Sequence, residues 1–195
     1  MLAHVAMPKT VVAAYPPTNL TGGSFELPSG LAIRCRRSPA IDFVGAVDAA
    51  WIPERRETDV DWKWRDLLAE SFDIFVVLRV ADDVPVALFC STAPRLLRLV
   101  GGAAYRLDFL EVGPRFRGAD VGVFTLTVAA SRALECGAKR LVLASTKEAR
   151  KLYDKTGGKQ RAVKGWKAPR GLLPYEFLED DLRELQEALN EQRQD

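Results

Sequence analysis

The chain has 195 residues, 48% of them apolar and 28% charged, with a formal net charge of +2. That length supports one domain with a sizeable core. The charge is too small to argue for a nucleic-acid partner, and no block of like charges marks a tail. Three cysteines, Cys35, Cys90 and Cys136, sit in or beside apolar segments. An odd count without ligand spacing reads as buried free thiols in a reducing compartment, so the expected location is cytoplasmic. The single histidine, His4, argues against a histidine triad or a zinc site. No stretch reads as a signal peptide or a transmembrane span.

In chain order, residues 1–30 read as an irregular N-terminal extension, with Val11–Ala14 as its one strand candidate. Leu31–Arg36 is the first strand. Ser38-Pro39 starts a helix that runs to Trp51, with Ser at the N-cap and Pro at the first helical position. Val60–Phe72 is a second helix, by the spacing of Val60, Trp64, Leu67, Leu68 and Phe72. Ile74–Val80 and Val84–Thr92 form a hairpin, and Pro94–Gly102 is a loop. Leu107–Val112 is a strand of which Gly113-Pro114 marks the end.

A turn follows, and then a helix over Val121–Cys136 whose Val123, Leu126, Ala129, Ala130, Ala133 and Leu134 share one face. Thr127, Ser131, Arg132 and Glu135 share the opposite face. Phe124 and Val128 fall on that polar side, so a cover is expected for them. Leu141–Ala144 is the next strand, and Ser145–Thr156 a helix opened by a capping box from Ser145 to Glu148. Gln160–Lys164 and Leu173–Phe177 close the sheet. Glu179–Gln192 is an amphipathic helix with Leu182, Leu185 and Leu189 as its stripe. Strands with helices between them predict an α/β (α+β) domain around a mixed sheet of six or seven strands. The domain spans 31–178, with the C-terminal helix in 179–195. The apolar stripe and Phe124 with Val128 are covered either by the extension or by a second copy in a homodimer.

The turn between the strand at Leu107–Val112 and the helix at Val121 presents free N–H groups and the positive end of a helix dipole, a site for phosphate or pyrophosphate. Its residues, Val112-Gly113-Pro114-Arg115-Phe116-Arg117-Gly118-Ala119-Asp120-Val121-Gly122, resemble the V-x-P-x-x-R-G-x-G-x-G loop of the GNAT N-acetyltransferase family. They match at Val112, Pro114, Arg117, Gly118 and Gly122, and Asp120 stands where the family has Gly or Ala. Ala149-Arg150-Lys151-Leu152-Tyr153-Asp154-Lys155-Thr156-Gly157-Gly158-Lys159 is similar to the family's A-x-x-L-Y-x-K-x-G-F-x segment, with Gly158 in place of the aromatic.

The resemblance implies a GNAT-like acyltransferase fold and an N-acetyltransferase that uses acetyl-CoA and a primary amine. It implies coenzyme contacts at Leu110, Val112, Arg115, Arg117, Gly118, Ala119, Asp120, Val121, Gly122 and Ser145. It also implies that a backbone N–H near Val112 meets the thioester oxygen, and that Tyr153 protonates the leaving thiolate. The chemistry needs a base for the amine, and Asp108 and Glu111 are the carboxylates on the strand. Their spacing puts them on opposite faces, and Asp108 matches a carboxylate that works through water in some members. Asp120 is expected to cap the helix. Trp51, Trp62 and Trp64 fall in the acceptor region, two of them as core. The alternatives are a non-catalytic protein of this fold that binds CoA or a partner protein, and a nucleotide-binding α/β protein. The latter would lack the P-loop Lys and the G-x-G-x-x-G spacing.

Overall fold

A computed structural model describes residues 23–37, 44–55, 63–93, 95–191 and 193–194. The expected Val11–Ala14 strand, the Ser38-Pro39 helix start and Trp62 lie outside the described residues. Two short strands open the structure, β1 (Ser24–Glu26) and β2 (Ala32–Arg37). Helix α1 (Val44–Trp51) follows, then a single 3-10 turn at Ile52–Glu54 and the short α2 (Trp64–Ala69). The strands β3 (Asp73–Arg79) and β4 (Pro85–Ser91) form the expected hairpin. Pro85 opens its strand, where its missing N–H costs least.

The segment read as a loop contains β5 (Leu97–Leu99), which pairs with β6 (Gly102–Leu107) through a tight turn at Val100-Gly101. The chain then continues as β7 (Phe109–Val112), a 3-10 turn at Pro114–Phe116, and α3 (Val121–Glu135). The remaining elements are β8 (Arg140–Ser145), α4 (Arg150–Lys155), β9 (Lys159–Gln160), β10 (Leu173–Leu178), α5 (Glu179–Glu191) and β11 (Arg193–Gln194).

The mixed α/β architecture is as expected, with the strands arranged in two sheets. One has six strands in the order β11-β1-β2-β3-β4-β7, and the other five in the order β5-β6-β8-β10-β9. Residues 102–112 belong to both. One edge pairs with β5 through β6 and then with β4 through β7. The other edge pairs in parallel with β8, as far as Leu107 with Leu143, and no further.

The change of sheet occurs at a bulge. Tyr105, Leu107, Leu110 and Val112 all pack into the core beneath α3, whereas Phe109 packs with α1 and α2. The step from Leu107 to Leu110 is odd, so one residue is accommodated out of register. The Asp108 N–H donates to the Cys90 carbonyl, and Phe109 is paired with Cys90 as well. This corrects the reading of parity along the strand. The extra residue brings Asp108 and Glu111 to the same face, the one that carries α1 and α2.

Three apolar clusters fill the layers. The largest lies between the sheets and α3 with α5, and in it Phe75 and Phe89 stack at 4.9 Å. On the other face Trp51 and Trp64 pack on Ile74, Val76 and Leu88, so both tryptophans are core. A third, small cluster joins Ala104, Val142 and Val163. Phe124 and Val128 are buried within this one chain. Phe25 of β1 meets Phe124 at 5.0 Å between ring centroids, and Leu182 and Leu189 of α5 join the same cluster. The apolar surface that suggested a second copy is therefore already covered.

Arg132 is the largest departure from the helical wheel. It is fully buried and donates from Nε and Nη2 to Asp73, at 2.8 and 3.2 Å. Tyr105 donates its hydroxyl to the same carboxylate at 3.1 Å, and Arg37 pairs with it at 3.1 Å. Glu135 takes a further Arg132 nitrogen at 3.2 Å. The network ties α3 to the start of β3. Removing one partner of a buried pair typically costs about 3–5 kcal/mol. Arg132→Ala should fall at the low end, about 3 kcal/mol, because Arg37 still faces Asp73. Urea unfolding measures this, and a loss below about 1 kcal/mol would show that the pair does not tie the helix down.

Candidate functional site

Beyond Leu107 and Leu143, β7 and β8 diverge and leave a cleft of about 910 Å³. Leu110, Val112, Ala144 and Ser145 are among its walls. Gly113 donates its N–H to the Val86 carbonyl across the pair with β4. By the alternation of an antiparallel ladder, Glu111 and Phe109 also turn their peptide groups to β4, and Leu110 and Val112 turn theirs to the cleft. Arg117 reaches back to the Val112 carbonyl, with Nε at 3.5 Å.

The floor is the start of α3, whose first N–H groups have no intrahelical acceptor. Gly118 has φ +84°, and a Cβ there would meet nothing within 4 Å. Its conformation, not crowding, is what demands glycine. Gly122 is closer packed: a Cβ would lie 3.4 Å from Leu152 and 3.6 Å from Val112. That contact seats α4 beside the mouth of the cleft. Arg117, Lys151 and Lys155 supply positive charge to the walls. Free N–H groups, open space over Gly118 and these cations fit a pyrophosphate.

Of the carboxylates in the lining, Asp120 is the one at the N-terminus of α3. It occupies the N-cap position, but its backbone is left-handed (φ 58°, ψ 3°) and its side chain makes no capping hydrogen bond. The expected cap is therefore not formed, because the left-handed turn swings the carboxylate away from the helix N–H groups. It lies 3.9 Å from the Lys155 ammonium instead. Ser145 departs from its expected role as well. It remains in β8 and donates its hydroxyl to the Thr146 carbonyl at 2.6 Å. Thr146 takes over, accepting the Ala149 N–H at 3.3 Å, and the helix starts only at Arg150.

Tyr153 is buried at 5% exposure in the wall of the cleft, its ring 5.4 Å from that of Tyr175. Burial, with the neighbouring Tyr175 adding to it, pushes its pKa well above the usual tyrosine value. The phenol therefore keeps its proton at any neutral or mildly basic pH. Gly158 follows α4. Its Cβ direction is filled by the Phe177 ring, 2.6 Å away.

On the face of α1 and α2, Glu111 accepts Arg55 from Nε and Nη2 at 2.9 and 2.7 Å, and the Trp64 indole at 2.6 Å. Asp108 accepts the N–H and hydroxyl of Thr92 at 2.7 and 2.8 Å and pairs with Arg106 at 2.7 Å. Both carboxylates line the cleft. Of the other residues singled out in the sequence, Arg115 is exposed and paired with Glu54, Ala119 accepts a bond from Ser29, and Val121 is core. None of these three is in the wall. The cleft also takes Trp166, Lys167, Pro169 and Leu172 from the loop before β10. No periodicity in that stretch announces where the loop lies.

Solved structures share this fold. The GNAT domain of S. lividans PAT aligns with a TM-score of 0.60 at 14% identity, over 84% of this chain and 99% of that one. The chain has the GNAT fold. RimJ of Mycobacterium smegmatis, in complex with CoA-disulfide, aligns at 0.58 and 13% identity, over 85% and 93%. A GNAT-family acetyltransferase of Listeria monocytogenes aligns at 0.54 and 13%, over 80% and 99%. No family profile and no curated protein matches the sequence. Among the described residues, no helix is long and apolar enough to cross a membrane, and no group of ligating side chains could hold a metal ion.

The left-handed Asp120 gives a direct test. A left-handed residue other than glycine costs roughly 1–2 kcal/mol, less for Asp. Asp120→Gly should raise stability by up to about 1 kcal/mol, and Asp120→Ala should lower it. Thermal unfolding ranks the three, and Ala above Gly would contradict the geometry.

Proposed function

We propose that this protein is an acyl-CoA-dependent N-acyltransferase, most simply one that moves an acetyl group directly from acetyl-CoA to a primary amine. The observation that carries the reading is the cleft of this GNAT fold. It joins an unpaired strand edge, a helix start and a protonated phenol. That a neighbour of the same fold binds CoA-disulfide supports the choice of donor.

Bound acetyl-CoA supplies a thioester carbon for the amine. The amides opening α3, with Arg117 and the nearby lysines, hold a pyrophosphate by the dipole and by direct charge. The peptide groups of Leu110 and Val112 give fixed donors along the cleft, where an oxygen gaining negative charge is stabilised without reorganisation. Tyr153 holds a proton in the wall for a departing sulfur. Asp108 takes the proton of the amine through water, and Thr92 and Arg106 fix the direction of its carboxylate. A second reading, a non-catalytic protein that binds CoA or a partner protein, draws on the ion pairs that already engage Asp108 and Glu111.

Acetyl-CoA at a hundredfold excess over Kd should raise Tm by about 5–10 °C, and ATP or NAD by less. Gly118→Val should remove the shift while the protein stays folded. A larger shift with a nucleotide would sink the proposal.

Tyr153→Phe keeps the ring and removes the proton. Turnover should drop by about 10²–10⁴-fold with coenzyme binding and stability nearly unchanged. If turnover survives Tyr153→Phe, the residue is packing alone. If the parent binds the coenzyme tightly and turns over no amine, the non-catalytic reading takes its place.

A further inference from the structure

The bridging strand has a gap on its other edge too. β5 pairs with it only through Ala104, and β4 only from Phe109 onward. Between them lies a second cavity of about 530 Å³, lined by Thr92, Ala93, Arg95, Arg98 and Arg106 among others. Arg106 lines the main cleft as well, so one guanidinium stands between the two spaces.

The charges here are unbalanced. Arg95 and Arg98 are exposed, and neither has a carboxylate within ion-pair distance among the described residues. Arg106 gives one nitrogen to Thr92 at 2.5 Å. Its Nε is buried and lies 2.7 Å from Asp108, but without the alignment of a hydrogen bond. Three guanidiniums thus surround a pocket in which Asp108 answers only one. Such a cluster offers a carboxylate or phosphate several guanidinium donors in the fork geometry that matches it.

We propose that this pocket binds an anionic group of the acceptor, so that the acceptor is a zwitterion: an amine that also carries a carboxylate or a phosphate. The inference rests on the N-acyltransferase reading above and narrows its substrate. The amine lies toward Asp108 in the main cleft, and the anion lies across Arg106 with Arg95 and Arg98. The same field repels a polyamine, whose further positive charges would have to enter among the arginines.

The test uses the whole chain, with Arg95→Glu, Arg98→Glu and the double variant. Both side chains are exposed, so folding should survive. With acetyl-CoA saturating, initial rates are compared for glycine, serine, 2-aminoethyl phosphate and spermidine. A zwitterion should be preferred, and a preference between the amino acids and the phosphate identifies the anion. Each substitution should raise KM for the preferred acceptor by about tenfold or more, with kcat changed less and the Tm shift from acetyl-CoA unchanged. Faster turnover of spermidine, or a KM indifferent to both substitutions, overturns the proposal.

Should no amine be turned over, inorganic phosphate serves as the probe. It should stabilise the parent more than the double variant against heat, and equal stabilisation overturns the site. The acetyl-CoA shift in the parent reports on donor binding by itself. Failure of the donor reading is in this way separate from failure of the anion pocket.

Discussion

A β-strand has two hydrogen-bonding edges and can fill each only once along its length. Residues 102–112 divide theirs among three neighbours, β5, β4 and β8. That division is the constraint from which the rest follows. β4 and β8 cannot both stay alongside while their sheets twist apart, so the pairing with β8 ends at Leu107. The bulge at Asp108 absorbs the change of register. The unpaired edge at Leu110 and Val112 is costly in a closed core, where peptide groups need partners. It is tolerable where it borders an open cleft instead of the core. The site is thus where the sheet runs out of pairing.

Charged groups hold the two walls in place. On one side Asp73 with Arg132, Arg37 and Tyr105 anchors α3, whose first turn is the floor of the cleft. On the other, Glu111 joins the bridging strand to Arg55 and to the indole of α2, while Asp48 accepts the first amides of that helix at 2.8 and 3.0 Å. Buried ion pairs of this kind add little net stability over apolar packing, but they are strict about geometry. They suit a fold whose cleft must keep its width.

Much of this was legible in the sequence. Continuous apolar runs with clean stops marked β3 and β4, helical spacing of the apolar residues marked the helix at Val121, and the glycine-containing turn marked the floor. What stayed hidden depended on contacts distant in the chain. A bulge adds one residue that no periodicity announces, and it reversed the relation of Asp108 to Glu111. Arg132 reads as surface on a helical wheel until Asp73, far away in sequence, meets it. Ser145 and Glu148 spell a capping box, but pairing of Ser145 with Leu173 keeps that residue in the sheet. Asp120 reads as a cap because residue type is visible and backbone handedness is not.

Gly158 and Phe177 carry a last consequence. The resembled motif places a ring just after the fourth helix, and here that ring is missing. Its volume is not: Phe177 of β10 points into the same space and leaves no room for a side chain at Gly158. In this chain a strand residue, and not the residue after α4, fills the space beside Gly158. A reader of motifs scores a loss where the packing records an exchange.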